Sequence, residues 1–178
     1  MHENHSSSDK SAALIITIIA GLIALAHTVG TNAQTMVIVK QMELTNAWNF
    51  YQSKVNRQST LKTAIELQEF ISVRDLQKAK DNTETWKSTI ARYESEPDKK
   101  EGKKELFALA KSVEKEQTEH LHAFHKFEIS VVLFEIAIVL VSASVITNIR
   151  KLKWGGVLIA SIGVCFFVIG KWYPMGFQ

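Results

Sequence analysis

The sequence predicts an all-α membrane protein: three transmembrane helices, with a long coiled-coil-like helical hairpin domain between the first and second. Three observations predict it. Residues 12–30, 129–149 and 154–170 are almost free of charge, whereas residues 40–126 hold most of the Lys, Arg, Asp and Glu of the 178-residue chain. The mean hydropathy of zero therefore conceals a block segregation, where a soluble globule would mix both classes at fine grain. No Pro or Gly interrupts the stretch between Thr31 and Glu96, so a helix entering it meets no local stop signal.

The elements follow in order. A polar tail occupies residues 1–10. The first span, 11–31, has about the ~20 apolar residues that crossing a bilayer requires. A cleaved signal peptide competes with it, because Ala24-Leu25-Ala26 has A-x-A spacing. The leader sets Glu3 and Asp9 against Lys10, a weak basic region for a signal, so we expect the span to be retained. The second span, 128–149, is interrupted only by Glu135, and a basic hairpin loop at 150–153 leads to the third span, 154–171. Trp154, Trp172 and Tyr173 bracket that last run, as a membrane–water interface selects, and residues 172–178 form a tail.

Orientation follows from the short loop. Arg150, Lys151 and Lys153 share a side with Lys10, which places the amino terminus and the hairpin loop in the cytoplasm and the central domain in the periplasm. Lys40, Lys126 and Lys171 argue the other way.

The central domain, 32–127, reads as two long helical limbs. Val37, Leu44, Trp48, Tyr51 and Val55 fall within roughly 60° on a wheel turning ~100° per residue. Leu61, Ile65, Leu67, Phe70, Ile71, Val73 and Leu76 point in nearly every direction, a pattern expected of a helix covered on all sides and an argument for a homo-oligomer. Asp81, Asn82 and Thr83 predict a turn, and Pro97-Asp98 a second break. Beyond it Leu106, Leu109, Ala110, Val113, Leu121, Phe124 and Phe127 share a sector of about 120° on a helix running into the second span. Such a hairpin should stand several tens of ångströms off the bilayer at ~1.5 Å per residue.

At "NAWNFYQSKVNRQ", and again at "HLHAFHKFEISVVLFEIAIVL" before "RKLK", the chain resembles the bacterial family of domain of unknown function 4337. The resemblance covers nearly the whole chain and implies bacterial inner-membrane placement. It implies no activity and no functional residues.

Candidate sites are few. Glu135 lies about two turns inside the second span, where a carboxyl must be protonated, partnered or turned toward protein. His27 sits about a turn inside the first span on the same leaflet, so a contact between them is expected to be within reach. We read Glu135 as a hydrogen-bonding carboxyl in an oligomer interface, in preference to a proton relay or ion site. Gly156, Gly163 and Gly170 recur every seven residues with Ala160 on their face, and Ser130, Ala137 and Ser144 repeat that interval. Small residues so spaced let helix backbones approach closely, which predicts packing in the hairpin or between subunits. His122 and His125, at i,i+3, are the only histidines placed to share a metal, and two ligands make an open, weak site, so no metal or other cofactor is expected.

The rest excludes function classes. A net charge of +3 with both signs interleaved argues against nucleic acid. The single Cys165 allows no disulfide framework within one chain. No phosphate loop, nucleophile–base pair or metalloprotease helix is present. Trp48, Tyr51, Val55, Leu61, Phe70, Leu106, Val113 and Phe124 read as the core or oligomer stripe. The sequence thus predicts a non-enzymatic, homo-oligomeric inner-membrane scaffold partnered by the lipid bilayer. An auxiliary subunit contacting another membrane protein, or a small channel or transport accessory, is the alternative.

Overall fold

A computed structural model describes residues 3–70 and 76–172, with side chains from residue 10 onward except 69. Among these residues there are four helices and no strand: α1 (Glu3–Phe70), α2 (Leu76–Glu94), α3 (Lys103–Thr147) and α4 (Arg150–Trp172). The expectations for Ile71, Val73 and Tyr173 lie outside the described residues. The chain divides into two units, one of residues 1–38 and 117–178 and the other of residues 39–116.

The first unit packs segments of α1, α3 and α4. Ala12, Ile19 and Ala26 of α1, Phe134, Ala137 and Val141 of α3 and Ala160 of α4 form its buried core. Four of these seven residues are alanine, and Gly156 brings α4 against the backbone of α3. A Cβ on Gly156 would lie 2.6 Å from Val141 Cγ2 and 2.9 Å from the Ala137 carbonyl oxygen. One on Gly163 would lie 2.8 Å from the Phe134 ring. The Ser130 hydroxyl, wholly buried, donates to the Gly163 carbonyl at 2.9 Å. Lys153 Nζ donates to Ser11 Oγ at 2.5 Å, tying the start of α4 to α1.

The link between α3 and α4 is shorter than the sequence predicts. Only Asn148 and Ile149 leave the helices, and Arg150–Lys153 form the first turn of α4 instead of a loop. Asn148 adopts the left-handed conformation (φ 55°) that ends helices, which Asn tolerates better than most residues. Leu152 N–H then bonds the Ile149 carbonyl at 3.1 Å, so helix resumes at once.

In the second unit α1 runs antiparallel to α2 and then to α3. Gln68 meets Ala79, Gln58 meets Ile90 and Glu94, Lys54 meets Glu101, and Lys40 meets Glu116. The contact face of α1 recurs every seven residues, at Leu44, Tyr51, Gln58 and Ile65, and again at Lys40, Ala47, Lys54, Leu61 and Gln68. Opposite it α3 buries Leu106, Ala110 and Val113. Trp48, Tyr51 and Phe107 gather with ring centroids 5.5–6.3 Å apart, Trp48 edge-on to both others. Burial of a Leu or Val contributes about 1.5–3 kcal/mol here, so the unit rests on few apolar anchors.

One expectation for this unit is corrected. Asp81, Asn82 and Thr83 lie inside α2, not at a turn. Thr83 Oγ1 donates back to the Ala79 carbonyl at 3.0 Å and lies 3.4 Å from Gln68 Oε1, so a helix-starting residue is held mid-helix by contact with α1. Among the described residues from Leu61 to Leu76, a single chain does not cover every apolar side chain, which leaves faces for the expected oligomer. Leu67, Leu76 and Phe70 are exposed, Phe70 at 87%. Phe70 stands two residues, about 200°, past the Gln68 that faces α2, so the stripe does not reach it.

The break at Pro97 is where the sequence places it. α2 ends at Glu94, and Pro97–Lys100 form a turn closed by Lys100 at φ 55°. Gly102 stands just before α3, its carbonyl accepting from Leu106 N–H at 2.9 Å. A Cβ there would press on Glu96 N at 2.5 Å and Ser95 Cα at 2.6 Å, both backbone, which requires glycine.

Candidate functional site

Two polar arrangements stand out, one in each unit. The first is a groove of about 360 Å³ between α1 and α3, lined by His27, Thr31 and Gln34 on one wall and Glu128 and Glu135 on the other. Phe124, Phe127, Val131 and Val132 supply its apolar floor and rim. The walls are spaced alike: His27 and Gln34 lie seven apart on α1, Glu128 and Glu135 seven apart on α3.

Its register explains what meets and what does not. A Cβ on Gly30 would touch Phe127 Cβ at 3.4 Å, which sets the two helices level at that point. Counting rises of ~1.5 Å from there, His27 sits about 3 Å from the level of Glu128 and about 7.5 Å from that of Glu135. His27 and Glu135, expected within reach of one another, thus share the groove without a hydrogen bond joining them. Thr31 is occupied locally, donating to the His27 carbonyl at 2.9 Å. Glu128 Oε2 lies 3.3 Å from His125 Nδ1. The sequence reading missed Gln34 and Glu128; their seven-residue offsets from His27 and Glu135 were the available signal.

The second arrangement closes the break between α2 and α3. Gln58, only 6% exposed, donates from Nε2 to the Ile90 carbonyl and to Glu94 Oε2, both at 3.1 Å. Its Oε1 accepts from Lys103 Nζ at 2.9 Å, and Lys103 also pairs with Glu94 at 2.9 Å. Lys103 and then Gln58 hold the Glu94 carboxyl below the ordinary carboxylate range. Glu105 accepts from Ser95 Oγ at 2.6 Å and from Glu96 N–H at 3.1 Å, and these bonds, the hydroxyl first, lower its carboxyl likewise. Lys54 completes the joint, 5.1 Å from the Tyr93 ring centre and 3.8 Å from Glu101. Farther along, Glu116 and then Glu43 raise Lys40 above its ordinary value, at 2.8 and 2.9 Å. Gln58 was not singled out from the sequence either, since a lone Gln on a polar helix carries no signal of burial.

The other predicted residues fall as follows. Gly156, Ala160, Gly163 and Gly170 are buried on α4, and Ser130, Ala137 and Ser144 on α3. Leu106 and Val113 are buried, Trp48, Tyr51, Val55, Leu61 and Phe124 half-buried, while Leu109 and Leu121 of the predicted α3 sector are exposed. Glu135 and His27 are exposed on the first unit. Among the described residues no group of three or more His, Cys, Asp or Glu is placed to hold a metal, and His125 is engaged with Glu128.

No curated protein and no solved structure matches this chain. The family model described as domain of unknown function (DUF4337) matches residues 8–173, from the polar leader to the end of α4, and the chain belongs to that family.

Proposed function

We propose that this is a non-enzymatic bacterial inner-membrane protein that forms a homo-oligomeric scaffold through its helical domain and its membrane helices. One observation carries the reading. Three helices are long and apolar enough to cross a bilayer, yet the chain buries only 17%, 33% and 11% of their most apolar windows. Leu14, Ile18, Leu25, Val139 and Leu158 lie open on these surfaces. Water does not accept such faces, so lipid and neighbouring subunits are their natural cover. Glu135 argues for subunits in particular, since a carboxyl turned to acyl chains is costly by about 2.5 kcal/mol or more.

On this reading the second unit is a coiled-coil-like hairpin in the periplasm, its seam spaced by sevens, with the amino terminus and the basic first turn of α4 in the cytoplasm. The test is direct. The chain should resist alkaline extraction from membranes, and its native mass in detergent should be a multiple of the 20.0 kDa protomer. Recovery from the soluble fraction without detergent overturns the membrane reading. A lone protomer that co-purifies with other proteins would instead identify an auxiliary subunit. The carboxylate-lined groove gives a second reading some footing, a small channel or transport accessory, for which ion flux in liposomes that vanishes with Glu135→Gln is the evidence required.

A further inference from the structure

We propose that a second copy of the chain packs on the α1–α3 groove about a two-fold axis parallel to the helices, bringing His27 of each copy to the partner subunit's Glu135. The inference rests on the homo-oligomeric reading above and specifies its interface. The groove is its own complement. One wall offers the imidazole of His27 and the carboxamide of Gln34, the other the carboxylates of Glu128 and Glu135, so a rotated copy sets donors against acceptors twice. An acyl chain lying in the same groove would leave Glu135 unpaired in an apolar medium.

The heights agree. Rotation about an axis along the helices leaves each residue at its own level, so His27 and the partner subunit's Glu135 differ by the same ~7.5 Å as within one chain. Helical side chains lean toward the amino terminus of their own helix. Because α1 and α3 run antiparallel, His27 leans toward the level of Glu135 and Glu135 toward that of His27, which narrows the axial gap. The exposed Val132 on its rim is the residue to be covered by the partner.

The experiment uses the full chain in native membranes. Two differently tagged variants, His27→Glu and Glu135→His, are expressed together and apart. Each alone sets like groups against each other at the interface, whereas the mixed pair restores both contacts. The mixed dimer should exceed either homodimer by about tenfold, the effect of two modest intramembrane contacts. A contact made inside one chain would be broken in both variants and would yield no such bias. Because either variant could fail to insert, cross-linking is measured independently. With Cys165→Ser as background, Val132→Cys should form a disulfide-linked dimer and Leu158→Cys on α4 should not.

Oligomers that show neither the bias nor the cross-link overturn this interface and leave the scaffold reading standing. A monomer in the bilayer overturns both. A lipid retained by the wild type and released by Glu135→Gln, with no cross-link at 132, identifies a lipid site and overturns the inference.

Discussion

The two units are made from consecutive parts of the same helices, yet they hold together differently. In the first, α1 presents Ala12, Ile19, Ala26 and Gly30, and α4 presents Gly156, Ala160, Gly163 and Gly170. In the second, α1 presents Lys40, Ala47, Lys54, Gln58 and Leu61. Both follow a seven-residue repeat, so periodicity does not distinguish them; on the membrane reading proposed above, the medium does. Under that reading apolar side chains surrounded by lipid gain nothing by meeting one another, and cohesion comes from close backbone approach and from hydrogen bonds such as Ser130 to Gly163. In water a few buried apolar anchors suffice, and polar seam residues are acceptable where each is fully bonded.

That contrast can be broken most severely at Gly156. Gly156→Leu should abolish folded protein in detergent, because its side chain meets the Ala137 backbone as well as Val141 and overpacking of this kind costs about 1–3 kcal/mol or more. Gly155→Leu, one residue away with open space around it, should express and melt like the wild type. Equal tolerance at both positions would remove the close-packing account of the first unit.

The next largest effect belongs to the second unit. Gln58→Ala removes a buried group and takes one bond each from the Ile90 carbonyl, Glu94 and Lys103, at a loss of about 1–3 kcal/mol in thermal or chemical unfolding. A change below a few tenths would mean that the joint is held elsewhere.

A smaller effect is a dependence on acid. Glu94 and Glu105 are held below their ordinary 4.5, so as pH falls the unfolded chain takes up these protons first. Their contribution is present at neutral pH and is lost as pH drops below about 4.5 through the lower folded values. Glu105→Gln should flatten the acid limb of the stability profile. Lys40, raised above 10.5, acts oppositely, its contribution being lost only as pH climbs through that raised value. The smallest effect is expected at Phe70, where Phe70→Ala in the isolated protomer should change stability by less than about 0.5 kcal/mol.

Much of this was legible in the residues. Pro97 marks the break between α2 and α3 because it forbids helix continuation, while the need for Gly102 against Ser95 and Glu96 came from the structure. The glycine and alanine repeats of α4 announced a face that the structure buries. The turn expected at Asp81–Thr83 was misread because a helix-starting preference amounts to about a kilocalorie and yields to a bond with α1 fifteen residues back. The basic loop was placed two residues late, since Arg and Lys are as content in a first helical turn as in a loop.

By itself the sequence determined the all-helical build, the segregation of oily and charged blocks and the small-residue faces. These follow from local preference and seven-residue periodicity, which need no knowledge of neighbours. Only the tertiary structure decided that Gln58 is buried, that Phe70 is not, and that His27 and Glu135 share a groove without touching. Each of those depends on the register between antiparallel helices far apart in the chain, and register is set by which side chains interlock, a property no single segment carries.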